Sequence, residues 1–78
     1  MQTKSELTQV QAETLAFITA HIAKHGYSPT FAEIAEAQQV NVNAIGDRIA
    51  QMVEKGAVTK ADRVARSIRP VTLTQHRT

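Results

Sequence analysis

The spacing of apolar residues along the chain predicts an N-terminal helix over Gln9–His25. Its buried face consists of Leu15, Ile18 and Ile22, which recur at the three- and four-residue intervals of an amphipathic helix. Gly26 follows directly and can adopt the left-handed backbone conformation with which helices commonly end. We therefore expect a long first helix with one apolar face and a defined end.

A second, shorter helix is predicted over Phe31–Gln38. Thr30 and Glu33 have the spacing of a capping box, in which each side chain bonds the backbone N–H of the other residue. Pro29 precedes the cap and favours an extended backbone there. Apolar residues follow at helical spacing, so this helix also has one face for the core.

A third helix is predicted over Ala44–Lys55, after a tight connection formed by residues 39–43. Either asparagine of the connection could cap the helix, and we favour Asn43 over Asn41. One or two of the valines in the connection are expected to be buried, and Gly56 is expected to end the helix. Its apolar face is predicted to comprise Ile45, Ile49, Met52 and Val53.

After the third helix the pattern changes to two short, partly alternating runs. Ala57–Lys60 and Ser67–Val71 contain β-branched residues and predict the strands of a hairpin, with a polar, basic loop between them. This order of elements predicts a mainly α fold with a small β-hairpin, a three-helix winged helix-turn-helix. We expect residues 1–78 to form one such domain, with an ordered core over about residues 7–73.

The composition limits the functional classes. The 78 residues are 42% hydrophobic and include no cysteine, so one packed domain is expected, without disulfides or a thiolate metal site. No run approaches the roughly 20 apolar residues that cross a membrane, and no secretion signal precedes the first helix. We therefore expect a cytoplasmic protein with no membrane contact.

Enzyme chemistry is not expected from these residues. The chain has no glycine-rich phosphate loop, no cysteine nucleophile and no evident cluster of carboxylates with a histidine. His21 and His25 share one face of the first helix at a spacing that could hold zinc, but the third and fourth ligands are missing. We expect the two histidines to face solvent, and we predict no cofactor and no bound metal.

Charge is divided unevenly along the chain. Residues 1–54 contain three lysines and arginines against six acidic residues, whereas residues 55–78 contain six against one. A basic C-terminal part on a weakly acidic body indicates a surface for a polyanion. The alternative is a solvated face on which the charges cluster by chance.

The second and third helices and the basic hairpin together suit duplex DNA. The polar side of the third helix offers small or hydrogen-bonding residues for base edges in the major groove. They are Asn43, Ala44, Asp47, Arg48 and Gln51. The hairpin offers cations for the phosphate backbone or the minor groove. These are Lys60, Arg63, Arg66 and Arg69.

Other residues near these helices have two interpretations. Gly46 lies in the first turn of the third helix, where a missing side chain lets another surface approach closely. Ser28 and Thr30 flank the start of the second helix, and a helix N-terminus can hold a phosphate, although Thr30 is equally explained as a cap. Arg48 could simply pair with an acidic neighbour, Asp47 or Glu54, on an exposed helix face.

Two motifs resemble a known family. Gly26–Ala35 has the sequence GYSPTFAEIA and matches the G-x-x-P-T-x-x-E-I-A signature of the LexA repressor family. Asn43-Ala44 near the start of the third helix and Glu54–Val58, the sequence EKGAV at its end, are also similar to that family. From Leu7 to about Leu73 the chain therefore resembles the N-terminal DNA-binding domain of LexA-type repressors.

The resemblance implies a winged helix-turn-helix that binds operator DNA. By position, Asn43, Ala44 and the pair Gly46-Asp47 stand where that family contacts bases. The chain departs from the family at Gln38-Gln39, which replace Leu-Gly, and at Gly46-Asp47, which replace two acidic residues. The resemblance leaves no residues for the family's self-cleaving, dimerising C-terminal domain, so we do not expect cleavage-driven induction.

Two functional hypotheses follow. The first is a sequence-specific regulator that binds double-stranded DNA as a homodimer, a repressor of a bacterium or of a mobile element such as a phage or plasmid. The second is a winged helix that binds protein and modulates a larger repressor, a replication protein or a polymerase. The acidic body and the position of Asp47 on the proposed reading face motivate the second.

Overall fold

The computed structural model describes residues 7–61 and 64–71, which form three helices and a two-stranded hairpin. Helix α1 spans Gln9–His25, α2 spans Phe31–Gln38 and α3 spans Val42–Glu54. Strand β1, Val58–Thr59, pairs antiparallel with β2, Arg69–Pro70. Helices α2 and α3 form the helix-turn-helix and the hairpin that follows is the wing, which confirms the predicted winged helix-turn-helix.

Capping boxes are present at the starts of both α1 and α2, and the one at Thr30 confirms the prediction. The Oγ1 atom of Thr8 accepts the backbone N–H of Gln11 at 3.1 Å, and the Gln11 side chain accepts the backbone N–H of Thr8 at 3.1 Å. Thr30 and Glu33 exchange the same two bonds at 3.1 and 3.0 Å. Gly26 ends α1 with φ 83°. These local bonds explain why the predicted bounds of α1 and α2 are confirmed.

Helix α3 begins two residues earlier than predicted, at Val42. The predicted cap was wrong, because Asn41 is the N-cap and its side-chain oxygen accepts the backbone N–H of Asn43 at 2.8 Å. Asn43 therefore lies in the first turn, where its own side chain is exposed. The helix also ends one residue earlier, at Glu54, and Gly56 supplies the left-handed residue with φ 80°.

The core lies where the three helices meet the hairpin, and it is formed by residues from all of these parts. Its buried members are Ile18, Ile34, Ala35, Ile45, Ile49, Met52, Val58 and Ile68. The prediction that valines of the connection are buried was wrong, since Val40 and Val42 are exposed. Val53 is exposed as well, because it lies beside the stripe of Ile45, Ile49 and Met52 and not on it.

The strands of the hairpin are shorter than predicted. Val58 is opposite Pro70 and Thr59 is opposite Arg69, and the described ladder has only these two pairs. Proline has no backbone N–H to donate, which limits the ladder at this end. The N–H of Val71 still donates to the carbonyl of Ala57 at 2.9 Å, so the hairpin remains closed at its base.

Candidate nucleic-acid interface

The side of α3 that faces away from the core carries a line of four exposed residues, which we call the outward line. Asn43, Asp47, Ala50 and Glu54 recur at helical intervals opposite the buried stripe. An asparagine side chain can bond an adenine edge, and a carboxylate can accept from the amino group of cytosine. Two of the four residues are acidic and none is basic, so the line offers hydrogen bonds without positive charge.

Arg48 lies on the flank of α3 that faces α1. Its Nη1 atom donates to Oε1 of Gln38 at 2.8 Å and to Oγ1 of Thr14 at 3.3 Å. Thr14 is fully buried, and its hydroxyl is 2.6 Å from the same Gln38 oxygen. The structure therefore pairs Arg48 with α1 and the end of α2, and not with Asp47 or Glu54.

Gln51 lies on the same flank and is also bonded to α1. The buried Gln11 donates from Nε2 to Oε1 of Gln51 at 3.0 Å, and its own Oε1 accepts from Nζ of Lys55 at 2.7 Å. Sequence reasoning missed this network of interhelical hydrogen bonds. A signal was available, because Gln11 and Thr14 are polar residues at helical spacing from the buried Ile18.

The opposite flank of α3 borders an open groove of about 430 Å³. Its lining comes from α2, α3 and the hairpin. The lining residues are Phe31, Gly46, Ile49, Ala50, Val53 and Lys60. Lys60 holds its ammonium group 5.6 Å from the centroid of the Phe31 ring. The groove brings a cation of the wing next to Ala50 of the outward line.

Arg66 ties the wing to the N-terminus of α2. Its guanidinium donates to both carboxylate oxygens of Glu33 at 3.0 Å and to the carbonyl of Ser28 at 3.1 Å. It also lies 4.7 Å from the ring centroid of Tyr27. The bond from Arg66, helped by the backbone N–H of Thr30, holds the pKa of Glu33 below its ordinary value. The same bond with Glu33 raises the pKa of Arg66.

The prediction that both histidines of α1 face solvent was wrong for His21, whose side chain is only 12% exposed. Its Nδ1 lies 3.0 Å from the carbonyl of Tyr27 and its Nε2 lies 3.7 Å from Oε1 of Glu33. The left-handed turn at Gly26 brings Tyr27 back against α1, next to His21. The His25 ring lies 4.4 Å from the ring of His21, so the side chains of His21, His25 and Tyr27 form one cluster. Within residues 7–61 and 64–71, no group of three potential metal ligands occurs.

The other residues that were predicted to contact phosphate differ in how accessible they are. Ser28 is fully buried and its hydroxyl donates to the carbonyl of Pro29 at 3.1 Å, so it could reach a phosphate only after a rearrangement. Thr30 lines a cleft together with Lys60, between α2 and the wing. Arg69 is exposed on β2. Arg63 lies outside the residues that the structure describes.

Comparison with known proteins gives a family match. Residues 4–67 match the LexA DNA binding domain family. The chain is 33% identical over 73 residues to the LexA repressor of Oleidesulfovibrio alaskensis, a match that covers 94% of this chain and 34% of that protein. It is 35% identical over 65 residues to the LexA repressor of Anaeromyxobacter dehalogenans, covering 82% of this chain and 28% of that protein.

A third relative is LexA repressor 2 of Geobacter sulfurreducens, which is 36% identical over 73 residues, covering 90% of this chain and 35% of that protein. The chain thus spans about a third of the length of the curated relatives that it matches. Among the described helices, none is long and apolar enough to cross a membrane.

Proposed function

Because the chain belongs to the LexA DNA binding domain family, we propose that it binds double-stranded DNA in a sequence-specific way and acts as a transcriptional repressor. One observation carries this proposal. Lys60 of the wing lines the same groove as Gly46 and Ala50 of α3. The basic hairpin and the outward line can therefore contact the same duplex. The relatives that are named LexA repressors support the regulatory role.

In this proposal α3 enters the major groove with its outward line. Asn43 bonds an adenine edge, Asp47 accepts from a cytosine amino group, and Ala44 lies close to the same base pairs. Each good pairing of this kind is worth about 1–3 kcal/mol of discrimination against the wrong base. Arg48 and Gln51 are bonded to α1 and α2, so their first role is to orient α3, and a base contact would use the N–H groups that these bonds leave over.

The wing supplies backbone or minor-groove contacts in the same proposal. Lys60, Arg63 and Arg69 are the cations assigned to it, and Thr30 is a neighbouring phosphate donor at the start of α2. Arg66 uses three of its five N–H donors in its bonds to Glu33 and Ser28, so a phosphate contact is compatible with its place in the structure.

A single module of this size gives limited affinity, which favours a homodimer on paired half-sites. Half-sites about 10 base pairs apart, or at multiples of that spacing, would match such a dimer. DNA binding would place the protein in the cytoplasm of a bacterium. The names of the relatives do not point to a phage or plasmid, so that origin stays a prediction.

A salt titration tests the proposal. Duplexes selected by the chain from a random pool are labelled, and binding is measured by fluorescence anisotropy at increasing salt. We expect the logarithm of the affinity to fall linearly with the logarithm of the salt concentration. Lys60→Ala should make the slope shallower by about 1, the loss of one phosphate contact, and should weaken binding to all sequences alike.

Two further variants make the titration specific. Lys24→Ala removes a cation from the last turn of α1, outside the proposed surface, and should leave the slope unchanged. Asn43→Ala should keep the slope and change which sites are selected, because it removes a base contact and no phosphate contact. An affinity that stays constant from low to high salt contradicts the proposal.

The acidic character of the outward line favours one second candidate, binding to a protein. Asp47 and Glu54 are exposed there without a lysine or arginine among the four residues. A winged helix with this face could bind a basic surface on a larger repressor, a replication protein or a polymerase. The same experiment separates the two functions, because a chain that retains no duplex at low salt cannot be the proposed repressor.

A further inference from the structure

We propose that the groove beside α3 binds the methyl group of a thymine and makes the chain selective for that base pair. The inference rests on the proposed function and deepens it. The site is a notch formed by Phe31, Gly46 and Ala50, which we call the apolar notch. The family resemblance assigned Gly46 a place near bases, but it assigned no chemistry to a residue that has no side chain.

The chemistry of the apolar notch selects its ligand. Phe31 contributes an aromatic ring, Ala50 contributes a methyl group, and Ile49 and Val53 extend the apolar lining. In the major groove, the bases show hydrogen-bond donors and acceptors, and only thymine adds an apolar group, its C5 methyl. A polar base edge placed against the apolar walls would lose its water, and among the lining residues only Lys60 has a polar side chain to replace it. Thymine is therefore the base that fits.

The surroundings of the apolar notch indicate DNA as the occupant. Ala50 belongs to the outward line with Asn43 and Asp47, so the notch is continuous with the proposed base-reading surface. Lys60 stands over Phe31 with its ammonium group 5.6 Å from the ring centroid. A cation at the rim of an apolar recess matches a nucleotide, whose phosphate is charged and whose thymine methyl is not.

Gly46 itself supports this role, because packing does not require a glycine there. A Cβ atom built at position 46 would meet only Cε2 of Phe31, at 3.8 Å, which is ordinary van der Waals contact. Glycine weakens a helix relative to alanine, and this one lies inside α3. What glycine contributes is space between the helix backbone and the Phe31 ring, and an alanine methyl would fill part of that space.

The test uses the whole chain and the best duplex selected from a random pool. Each thymine of that duplex is replaced in turn by deoxyuridine, which removes the methyl group and keeps the base pair. We expect one thymine in each half-site at which the replacement weakens binding about fourfold, the effect of burying one methyl group. Other thymines should tolerate the replacement.

Two variants separate the apolar notch from other causes. Gly46→Ala should bind the thymine duplex and the deoxyuridine duplex with nearly equal affinity, so that the ratio of the two affinities is close to one. The melting temperature of this variant should rise above that of the unsubstituted chain. Asn43→Ala is the matched control on the same helix, and it should keep the fourfold ratio although its affinity is lower. An effect of deoxyuridine on DNA shape would persist in Gly46→Ala, so the comparison excludes it.

Three results would overturn the inference. They are a selected site without a recurring thymine, an unsubstituted chain for which no thymine responds to deoxyuridine, and a Gly46→Ala variant that keeps the full ratio. In each of these cases salt-dependent binding to duplex DNA would leave the proposed function intact. The failure of the proposed function looks different, because then no duplex is selected at all.

Discussion

The bond between Arg48 and Gln38 leads to a quantitative prediction about stability. Gln38→Leu removes the oxygen that accepts from Arg48 at 2.8 Å. A hydrogen bond to a charged group contributes about 1.5–3 kcal/mol, and both side chains are half-buried, so the lower end applies. Thr14 keeps a partner, because its hydroxyl can donate to the carbonyl of Val10 at 2.9 Å. We expect the free energy of unfolding to fall by about 1.5 kcal/mol.

The partner variant completes a double-mutant cycle. Arg48→Met removes the cation and should also lower the free energy of unfolding, because Oε1 of Gln38 then loses its charged donor and keeps only the Thr14 hydroxyl. The double variant Gln38→Leu with Arg48→Met should cost less than the sum, since replacing both partners by apolar side chains of similar size leaves no polar group without a partner. We expect a coupling energy of about 1 kcal/mol between the two positions.

Urea unfolding followed by circular dichroism measures the four proteins of the cycle at one pH and one salt concentration. A control cycle combines Gln38→Leu with Lys24→Met, a surface change that has no contact with Gln38 among the described bonds, and its two effects should add. Additivity within about 0.5 kcal/mol for Gln38 and Arg48 would refute the reasoning. It would mean that the contact seen between them contributes nothing to the fold.

Two other predictions concern the ends of α2. Gln39 ends the helix in a left-handed conformation with φ 59°, so Gln39→Gly should raise the free energy of unfolding by about 1 kcal/mol in urea, and a decrease would contradict this. Glu33 has a lowered pKa in the folded state. Its contribution to stability is therefore present above the ordinary pKa of a glutamate in the unfolded chain and is lost as pH falls through the lower folded pKa. The urea midpoint should fall as pH is lowered through that window, and it should fall less steeply in Glu33→Gln. Equal slopes in the two proteins would disprove the link between the pKa of Glu33 and stability.

Much of the local structure could be predicted because it depends on residues three or four positions apart. The pair Thr8 and Gln11 and the pair Thr30 and Glu33 position the starts of two helices through bonds that appear in the sequence as a spacing. The prediction that Asn43, and not Asn41, caps α3 was wrong for a local reason too. Both residues are good caps, and only the backbone conformation distinguishes them.

The candidate site was predictable in part. The sequence placed Asn43, Ala44 and Asp47 on an exposed side of α3, and their exposure agrees with that placement. It did not predict that Arg48 and Gln51 are bonded to α1. It also did not predict the groove between Phe31 and Gly46, because the two residues belong to different helices and meet only when α2 packs across α3.

The spacing of residues along the chain was enough to locate three helices and to give the start and end of α1 and α2. It did not give every buried position, since Gln11 and Thr14 are buried and Val53 is exposed. The tertiary structure alone decided the partners of the charged side chains. Arg48 bonds Thr14, which is 34 residues away, and Arg66 bonds Glu33, which is 33 residues away. The reason is physical: a helix and its caps are stabilised by near neighbours in the chain, whereas a long polar side chain bonds whichever groups the packing of the helices brings within about 3 Å.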